Sequence, residues 1–249
     1  MQIWISGIAG HMGQAVLAQC REQGIAVVGG VDVAAPAAVD VPVYTSFDEA
    51  PVCGDVIIDF SKPEGLDALL RYAVKNHIPA VIATTGYDDA QLAAIDEAAK
   101  QVAIFRSANM SVGVALIRQL ARKAAEVLGD SFDVEIVETH HNRKVDAPSG
   151  TALMLYDAIK GAYDEEPKLV GGRYGRNTKR QKGEIGIHAL RGGTVTGEHE
   201  VCFFGPMERI KITHSAENRA VFAAGAVKAA AFLADKAAGL YSMDDVVNG

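Results

Sequence analysis

The first 109 residues alternate short, continuously apolar runs with stretches that have the periodicity of amphipathic helices. Strands that are apolar along their whole length are typical of a parallel sheet covered by helices on both faces. This region is therefore predicted to be an α/β domain. The apolar runs predict strands over 2–6, 25–32, 55–61, 79–86 and 102–109. The intervening stretches predict helices over 12–22, 64–75 and 90–100.

The pattern changes after residue 109. A long helix is predicted over 112–128, and the run 132–141 alternates apolar and polar residues as a half-exposed strand does. Further strand-like runs, separated by glycine turns, predict an antiparallel sheet. They cover 184–193, 194–205 and 208–216. The segment 163–183 has a loop-like, basic composition, and the alanine-rich stretch 218–236 predicts a final helix. The second part of the chain is therefore predicted to be α+β.

Three glycines lie between the first predicted strand and the first predicted helix. Gly7, Gly10 and Gly13 have the spacing GxxGxxG, with Ala9 where the more usual GxGxxG motif has its second glycine. Gly7 permits a tight turn, Gly10 lets the backbone approach a pyrophosphate, and Gly13 lets the helix pack close to the sheet. A plain strand-to-helix turn is the alternative, because such a motif alone is a weak signal.

An acidic residue at the end of the second predicted strand supports the dinucleotide interpretation. Asp32 lies about 20 residues after the glycines, where a carboxylate accepts from the ribose hydroxyls of the adenosine. A carboxylate there repels a 2′-phosphate, and Val33, Ala34 and Ala35 offer no arginine to accept one. NADH is therefore favoured. A protonated His11 can still contact a phosphate, so NADPH remains compatible with the loop.

The second chemically dense stretch is ETHHNRKVDAPSGTA, residues 138–152. A zinc site would need a third ligand beside the adjacent His140 and His141, and no candidate stands at a recognised spacing. A hydrolase would need a nucleophile elbow at Ser149, and PSG does not match GxSxG. We therefore expect neither a metal nor a hydrolytic triad.

The end of this stretch predicts a helix start. Pro148 disfavours helix before it, Ser149 is a good N-cap, and a helix is predicted from about Thr151. The N–H groups of Gly150 and Thr151 at a helix start favour a carboxylate.

The beginning of the stretch adds charge and proton chemistry. Lys144 and His141 would contribute positive charge and hydrogen-bond donors, and His140 can serve as a general acid near neutral pH. The whole segment is therefore interpreted as an acid–base site for an anionic ligand.

The overall composition excludes several functional classes. The net charge of −7 disfavours nucleic acid as a partner. No apolar run approaches the ~18 residues of a membrane span. The scattered cysteines and the lack of a basic leader before the first strand predict a cytoplasmic protein. The stretch 173–182 holds five basic residues and is interpreted either as a solvated loop or as a surface that steers an anionic substrate.

Residues 138–152 and several other motifs resemble the 4-hydroxy-tetrahydrodipicolinate reductase (dihydrodipicolinate reductase) family. The resemblance covers essentially the whole chain. ATTG at 83–86 departs from the family's usual GTTG, and Val33 stands where some members carry a basic residue. The further motifs are GIAGHMGQA (7–15), SANMSVGV (107–114), EIGIHALRGG (184–193), GEHEV (197–201) and GLYSMDDV (239–246).

The resemblance implies a two-domain, usually tetrameric enzyme. A Rossmann-type dinucleotide-binding domain would comprise 1–110 and 217–249. An α+β domain with a mixed or antiparallel sheet, 111–216, would bind the substrate and form the homotetramer. The implied activity is the NAD(P)H-dependent reduction of 4-hydroxy-tetrahydrodipicolinate, a small dicarboxylate, to tetrahydrodipicolinate in lysine and diaminopimelate biosynthesis. The alternatives are another nicotinamide-dependent dehydrogenase of similar architecture and an NAD(H)-sensing protein without turnover.

The resemblance also assigns roles to residues. His140 would be the proton donor and acceptor, and Lys144 a second proton donor. His141, Gly150 and Thr151 would contact a substrate carboxylate. The implied cofactor contacts are Gly7, Ile8, Ala9, Gly10, His11, Met12, Asp32, Ala83, Thr84, Thr85, Ser107, Ala108, Asn109 and Met110.

Overall fold

The computed structural model describes residues 1–34 and 39–249. Ala35, one of the residues argued above to offer no arginine, lies outside the described residues. The chain divides into two compact units, unit 1 (Met1–Val112 and Arg219–Gly249) and unit 2 (Gly113–Asn218). The binding roles given to the two domains remain predictions.

The secondary structure follows the predicted alternation, with somewhat shorter elements. In chain order the strands are β1 Gln2–Ser6, β2 Ala26–Val31, β3 Val43–Tyr44, β4 Val56–Asp59, β5 Ala80–Ile82, β6 Ala103–Arg106, β7 Asp133–His140, β8 Lys168–Val170, β9 Glu184–Arg191, β10 Gly197–Phe204, β11 Arg209–Ala216 and β12 Gly239–Tyr241. The helices are α1 His11–Glu22, α2 Leu66–Asn76, α3 Asp89–Ala99, α4 Val112–Leu128, α5 Gly150–Lys160, α6 Ala220–Leu233 and α7 Met243–Asn248, with 3₁₀ turns at Pro63–Gly65 and Gly129–Ser131.

Unit 1 contains the predicted parallel sheet. Its strand order among the described residues is β12-β6-β5-β4-β1-β2-β3, and every pairing is parallel. Trp4, Ile57, Leu69 and Ile104 are fully or almost fully buried in its core. The chain leaves β1 toward β2 on one side and returns through β4 on the other. Open α/β sheets bind ligands at such a reversal of strand order, outside the carboxyl ends of the strands.

The last part of the chain completes unit 1. The predicted final helix is α6, which packs against α1 and comes so close to the loop after β6 that a Cβ at Gly225 would lie 1.7 Å from the main-chain oxygen of Met110. The strand β12, which the sequence pattern did not predict, then adds to the sheet parallel to β6. Its three residues are too few for a detectable periodicity.

The sheet of unit 2 is mixed, which is one of the two alternatives that the family resemblance implied, whereas the strand-like runs by themselves indicated an antiparallel sheet. Its order is β11-β10-β7-β9-β8. The pairs of β10 with β7 and with β11 are antiparallel, whereas β9 runs parallel to both β7 and β8. The helix α5 lies between β7 and β9 in the chain, and such a crossover connects parallel strands. The short strand β8 lies inside the segment 163–183 that was predicted to be a loop.

The inner face of this second sheet changes character along β7. Toward the start of β7, Val134 and Ile136 pack with Val201 and Phe203 of β10 in the core that also includes residues of α4 and α5. Toward the end of β7, the same face carries Glu138 and, two residues later, His140. Both side chains are buried. Since alternate residues of a strand share a face, the polar end of β7 continues directly from an apolar core.

Candidate functional site

The glycine loop of unit 1 has the geometry that its spacing predicts. Gly7 adopts a φ of +78°, and a Cβ there would lie 2.6 Å from the main-chain oxygen of Phe60. A Cβ at Gly13 would lie 2.1 Å from the main-chain oxygen of Gly7, whereas one at Gly10 would be 3.3 Å from the same atom. Gly7 therefore permits the turn and Gly13 the close packing, as predicted from the sequence.

The helix α1 starts without a side-chain cap. Its N-cap is Gly10, whose N–H donates to the main-chain oxygen of Gly7 at 3.0 Å. The first N–H groups of a helix, here beginning with His11 and Met12, have no acceptor within the helix, and the helix dipole adds partial positive charge. This start therefore fits an anion such as a pyrophosphate.

Asp32 lies directly beside this loop. Its carboxylate accepts from the main-chain N–H of Ala9 at 2.9 Å and from that of Ala34 at 3.2 Å. An ionised carboxylate has about four acceptor sites, so two further hydrogen bonds can be made to ribose hydroxyls. The neighbouring Val33 is 91% exposed and has no charge with which to attract a 2′-phosphate.

The remaining predicted cofactor residues follow neighbouring parallel strands. Ala83, Thr84 and Thr85 come directly after β5, and residues 107–110 come directly after β6, at the carboxyl edge where the glycine loop also lies. Ile8 is fully buried and its side chain fills the space above Gly30, so only its main chain can face a ligand. Contacts of these residues with a cofactor remain predictions.

In unit 2, the predicted helix start is present. Ser149 is the N-cap of α5, and its Oγ accepts from the main-chain N–H of Ala152 at 3.2 Å. The helix begins at Gly150, one residue before the predicted Thr151. The main-chain N–H of Ser149 donates to Oε1 of Glu138 at 3.0 Å, which attaches this helix start to the end of β7.

Glu138 and His140 form a buried pair at the end of β7. Nδ1 of His140 lies 2.6 Å from Oε2 of Glu138, whose side chain is fully buried. Arg191 of β9 binds the same carboxylate with two nitrogens, Nη1 to Oε2 and Nη2 to Oε1, each at 2.8 Å. In the β7–β9 pairing, Arg191 is the register partner of His140, which brings its side chain to this face.

The arrangement keeps Glu138 ionised. Burial raises the pKa of the Glu138 carboxyl, but the hydrogen bonds from Arg191, His140 and the Ser149 N–H lower it by more, so the net shift is downward. A bidentate arginine and a main-chain N–H are strong donors to a carboxylate. The pair of His140 and Glu138 therefore contains a fixed negative charge at neutral pH.

A second histidine packs against this pair. His199 of β10 is the register partner of Glu138, its Nε2 lies 3.0 Å from Oγ of Ser149, and its ring meets that of His140 edge to face at 5.2 Å. Burial, followed by the charge of His140, lowers the pKa of His199 to about 4. His199 is therefore neutral at neutral pH and holds the α5 cap against β10.

The loop between β7 and α5 carries the other predicted groups. Nζ of Lys144 lies 2.8 Å from Oδ1 of Asp146, and the lysine holds the pKa of that aspartate below its usual range. The main-chain N–H of Lys144 donates to the main-chain oxygen of His141 at 3.1 Å, which closes a turn. Gly150 is exposed at the helix start, while His141, Lys144 and Thr151 are half-buried.

Both halves of the chain match models of one family. A model described as dihydrodipicolinate reductase, N-terminus, matches residues 1–110, and one described as dihydrodipicolinate reductase, C-terminus, matches residues 113–247. The chain belongs to the dihydrodipicolinate reductase family. Its glycine loop and its acid–base segment therefore lie in the N-terminal and C-terminal parts of a dihydrodipicolinate reductase, respectively.

Individual members of the family are similar over nearly their full length. The 4-hydroxy-tetrahydrodipicolinate reductase of Clostridium novyi (strain NT) is 45% identical, with 99% of this chain and 98% of the relative covered. That of Caldanaerobacter subterraneus subsp. tengcongensis is 48% identical with the same coverage. A dipicolinate-bound dihydrodipicolinate reductase structure from Paenisporosarcina sp. TG-14 is 25% identical, has a TM-score of 0.81 and covers 98% of both chains.

The sequence prediction gave no role to three residues of this cluster: Glu138, Arg191 and His199. Glu138 could have been found, because it stands two residues before His140 in an alternating strand and so shares its face. Arg191 and His199 come from β9 and β10, and only the strand register shows that they meet β7.

The basic segment of this family member is partly structural. Arg173 binds Glu135 and Glu184, each at 2.9 Å, and Arg180 binds Asp133 at 3.1 Å. The side chains of these two arginines are held in ion pairs, so they neither form a solvated loop nor belong to a steering surface.

Within residues 1–34 and 39–249, no cluster of histidine, cysteine and acidic side chains is arranged to hold a metal ion. No helix in the same ranges has the length and apolar character to cross a membrane.

Proposed function

We propose that this protein catalyses the nicotinamide-dependent reduction of 4-hydroxy-tetrahydrodipicolinate to tetrahydrodipicolinate in lysine and diaminopimelate biosynthesis. The proposal is supported by the combination of two features in this family member. Unit 1 has a glycine loop suited to a pyrophosphate, and unit 2 has a buried Glu138–His140 pair beside a helix start. The loop would hold the pyrophosphate of a nicotinamide cofactor, and that cofactor would supply the hydride.

The cofactor site favours NADH. The α1 start with Gly10, His11 and Met12 binds the pyrophosphate, and Asp32 accepts from the ribose hydroxyls. A 2′-phosphate would meet the negative charge of Asp32 beside the uncharged Val33. NADPH is accommodated less well, with a protonated His11 as a cationic contact. The kcat/KM values for NADH and NADPH test this preference, and a strong preference for NADPH would contradict the role of Asp32.

The substrate carboxylates are held by the segment that links β7 to α5. The main chain at Gly150 and Thr151 offers donors at the positive end of the α5 dipole, and His141 adds a side-chain donor. Lys144 has three N–H donors, so it can contact a substrate while keeping its ion pair with Asp146. The relative from Paenisporosarcina binds dipicolinate, a planar ring dicarboxylate of the kind this segment would hold.

His140 donates the proton that completes the reduction. The 4-hydroxyl group leaves as water, which leaves the ring unsaturated at that carbon. The hydride would then add to this carbon, and the proton goes to the neighbouring carbon. Lys144 is a second proton donor. The edge-to-face contact with the ring of His199 and the pairing with Glu138 keep the His140 imidazole in one orientation.

The assembly and location of the protein follow the family expectation. The homotetramer would form through the sheet of unit 2, whose outer face exposes Leu190 and Phe204 by 49% and 39%. The protein would act in the cytoplasm. Sedimentation at several protein concentrations tests the tetramer, and a stable monomer contradicts it.

The catalytic roles can be tested with His140→Gln and Lys144→Ala. NADH oxidation is measured with substrate produced in situ by the preceding synthase, and NADH binding is measured by titration. Turnover is expected to fall by about 10²-fold or more in each variant, the usual effect of losing a general acid, while NADH binding persists. The exposed His77→Gln and Lys75→Ala serve as matched controls with turnover near that of the unmodified enzyme. Near-normal turnover in both test variants would overturn the assignment.

A further inference from the structure

The carboxylate that pairs with His140 is completely buried. Glu138 has no exposed side-chain area, and it is bound by Arg191, by the Ser149 N–H and by His140 Nδ1. Enclosing a charge in this way costs free energy unless several donors meet it. Replacing a buried ion pair by apolar residues is often neutral or stabilising, so stability alone does not account for a carboxylate at this position.

Glu138 determines which nitrogen of His140 carries the permanent hydrogen. An ionised carboxylate only accepts hydrogen bonds, so the 2.6 Å contact requires a hydrogen on Nδ1. Nε2 is then the nitrogen that gains and loses a proton. This reasoning rests on the proposed role of His140 as the proton donor.

The structure leaves room at Nε2. A Cβ at Gly197 would lie 3.0 Å from Nε2 of His140 and 3.4 Å from Cδ2. A side chain at position 197 would therefore press on the edge of the ring that carries Nε2. Gly197 keeps that edge open while Glu138 holds the opposite edge.

Arg191 controls the charge of the pair. Its two hydrogen bonds stabilise the ionised form of Glu138, so the carboxylate does not take the proton from Nδ1 when His140 becomes neutral. Nη2 of Arg191 also donates to the main-chain oxygen of Asp146 at 2.6 Å. Asp146 pairs with Lys144, so one arginine links the His140 partner to the loop that carries the second proton donor.

We propose that Glu138 and Arg191 are positioning residues for the reduction: Glu138 holds His140 with its hydrogen on Nδ1, and Arg191 keeps Glu138 ionised, so that Nε2 is the nitrogen that delivers the proton. In that step the Nε2–H bond of the imidazolium breaks and its electron pair stays on the ring. The electron pair at the substrate carbon next to the hydride-accepting carbon forms the new C–H bond. His140 is left as the neutral imidazole with its hydrogen on Nδ1.

Other titratable and charged groups also face or surround His140. His199 stays neutral near pH 7, since burial lowers its pKa to about 4, and burial also lowers the pKa of His214. These two histidines therefore do not supply the fixed charge that Glu138 supplies. Counted with Glu138 of β7, the titratable and charged groups around His140 are Arg191 on β9, His199 on β10, His214 on β11, and Lys144 and Asp146 on the loop after β7.

The first test compares Glu138→Gln with the double variant Glu138→Gln/Arg191→Met. The single variant is expected to lower kcat by about 10²-fold with the KM for NADH unchanged, because a mispositioned catalytic imidazole costs up to about 10⁴-fold. The descending limb of its pH–rate profile should move to lower pH by about one unit or more, because the carboxylate that stabilises the imidazolium is gone. In the double variant, which removes both charges, the limb should return toward its original position while kcat stays low.

A purely structural role would leave the position of that limb unchanged. A Glu138→Gln enzyme with an unaltered pH profile and kcat within about twofold of the unmodified value would overturn the positioning role. His140→Gln separates this outcome from a failure of the proposed function. If His140→Gln keeps full turnover, the proposed function fails. If it loses turnover while Glu138→Gln does not, only the positioning inference fails.

The second test needs no folded Glu138 variant. The ¹⁵N chemical shifts of His140 in ¹⁵N-histidine-labelled enzyme report which ring nitrogen carries the hydrogen, and the spectrum of His140→Gln assigns the signals. We expect the neutral ring to carry its hydrogen on Nδ1. A neutral ring with the hydrogen on Nε2 would overturn the inference whatever the variants do.

Discussion

The helices α1 and α5 both begin at a site predicted to bind an anion, but they begin in different ways. The N-cap of α1 is Gly10, which has no side chain and no side-chain cap. The N-cap of α5 is Ser149, whose Oγ bonds to Ala152 and to His199 and whose main-chain N–H bonds to Glu138. The first start offers main-chain groups that would suit any phosphate. The second is tied to ionisable side chains that can do chemistry.

The two helix starts are also stabilised by different interactions. The α1 start depends on the absence of atoms, because the turn has no room for a Cβ at Gly7 or Gly13. The α5 start depends on a buried ion pair between Glu138 and Arg191. Changes at α1 should therefore act through packing, and changes at α5 through charge.

The largest expected effect is at the charged site. Arg191→Met leaves the buried Glu138 without its main partner and should lower the free energy of unfolding by about 3–5 kcal/mol. NADH affinity of the remaining folded protein should stay unchanged, because α1 belongs to the other unit. Urea unfolding and NADH titration measure the two quantities. Arg176→Met, at an exposed arginine of the same unit, should stay within about 0.5 kcal/mol. An equal cost in both variants would mean that the pair adds nothing to stability.

The next effect depends on pH and concerns His199. Its pKa of about 4 in the folded protein lies below the ordinary 6.5, so the unfolded chain binds the additional proton. The associated stability is complete above pH 6.5 and is lost as the pH falls toward 4, by about 3 kcal/mol in total. In His199→Gln, the free energy of unfolding should fall less steeply between pH 6.5 and 4. The same slope in both proteins would show that another group causes the acid sensitivity.

A smaller stability effect is expected at the uncharged site. Gly13→Ala places a Cβ 2.1 Å from the main-chain oxygen of Gly7, so α1 must shift. We expect a loss of about 1–3 kcal/mol in the free energy of unfolding and at least a tenfold loss of NADH affinity, while the pH dependence of unfolding stays the same. Gly10→Ala is the matched control, because its Cβ would meet the same oxygen at 3.3 Å and needs only a small adjustment. If Gly10→Ala weakens NADH binding as much as Gly13→Ala does, the loss of affinity is not caused by the close packing at Gly13.

The smallest effect concerns the α5 cap itself. Ser149→Ala removes the hydrogen bond to the Ala152 N–H and should lower the free energy of unfolding by about 1 kcal/mol. Ser149→Thr keeps the hydroxyl and should recover most of it. A cost above about 3 kcal/mol for the alanine variant would show that the contact of Oγ with His199 matters more than the cap.

The features that could be predicted from the sequence are those that depend on residues close together in the chain. The turn at Gly7, the close packing at Gly13, the position of Asp32 beside the loop and the Ser149 cap all depend on residues that a short motif specifies. The parallel sheet of unit 1 was predicted because its strands are apolar on both faces and alternate with helices. These features need no knowledge of which distant strands pair.

The remainder required the strand register. Arg191 and His199 meet Glu138 because β9 and β10 flank β7 in particular alignments, and the strand-like runs alone do not specify those alignments. For the same reason β9 was expected to be antiparallel to its neighbour, although the α5 crossover makes it parallel to β7. The strands β8 and β12 were missed because three residues carry no usable pattern.

The division of unit 1 between the two ends of the chain sets an order for synthesis. Residues 113–218, a continuous stretch, leave the ribosome before α6 and β12 exist. The first strands of unit 1 must therefore wait for more than a hundred residues of unit 2 before α6 can pack at Gly225 against the loop at Met110. The edge of β6 that β12 finally covers is open during that interval, and an uncovered strand edge is where a nascent chain can pair wrongly. The part of the protein that is translated first is the last to be completed.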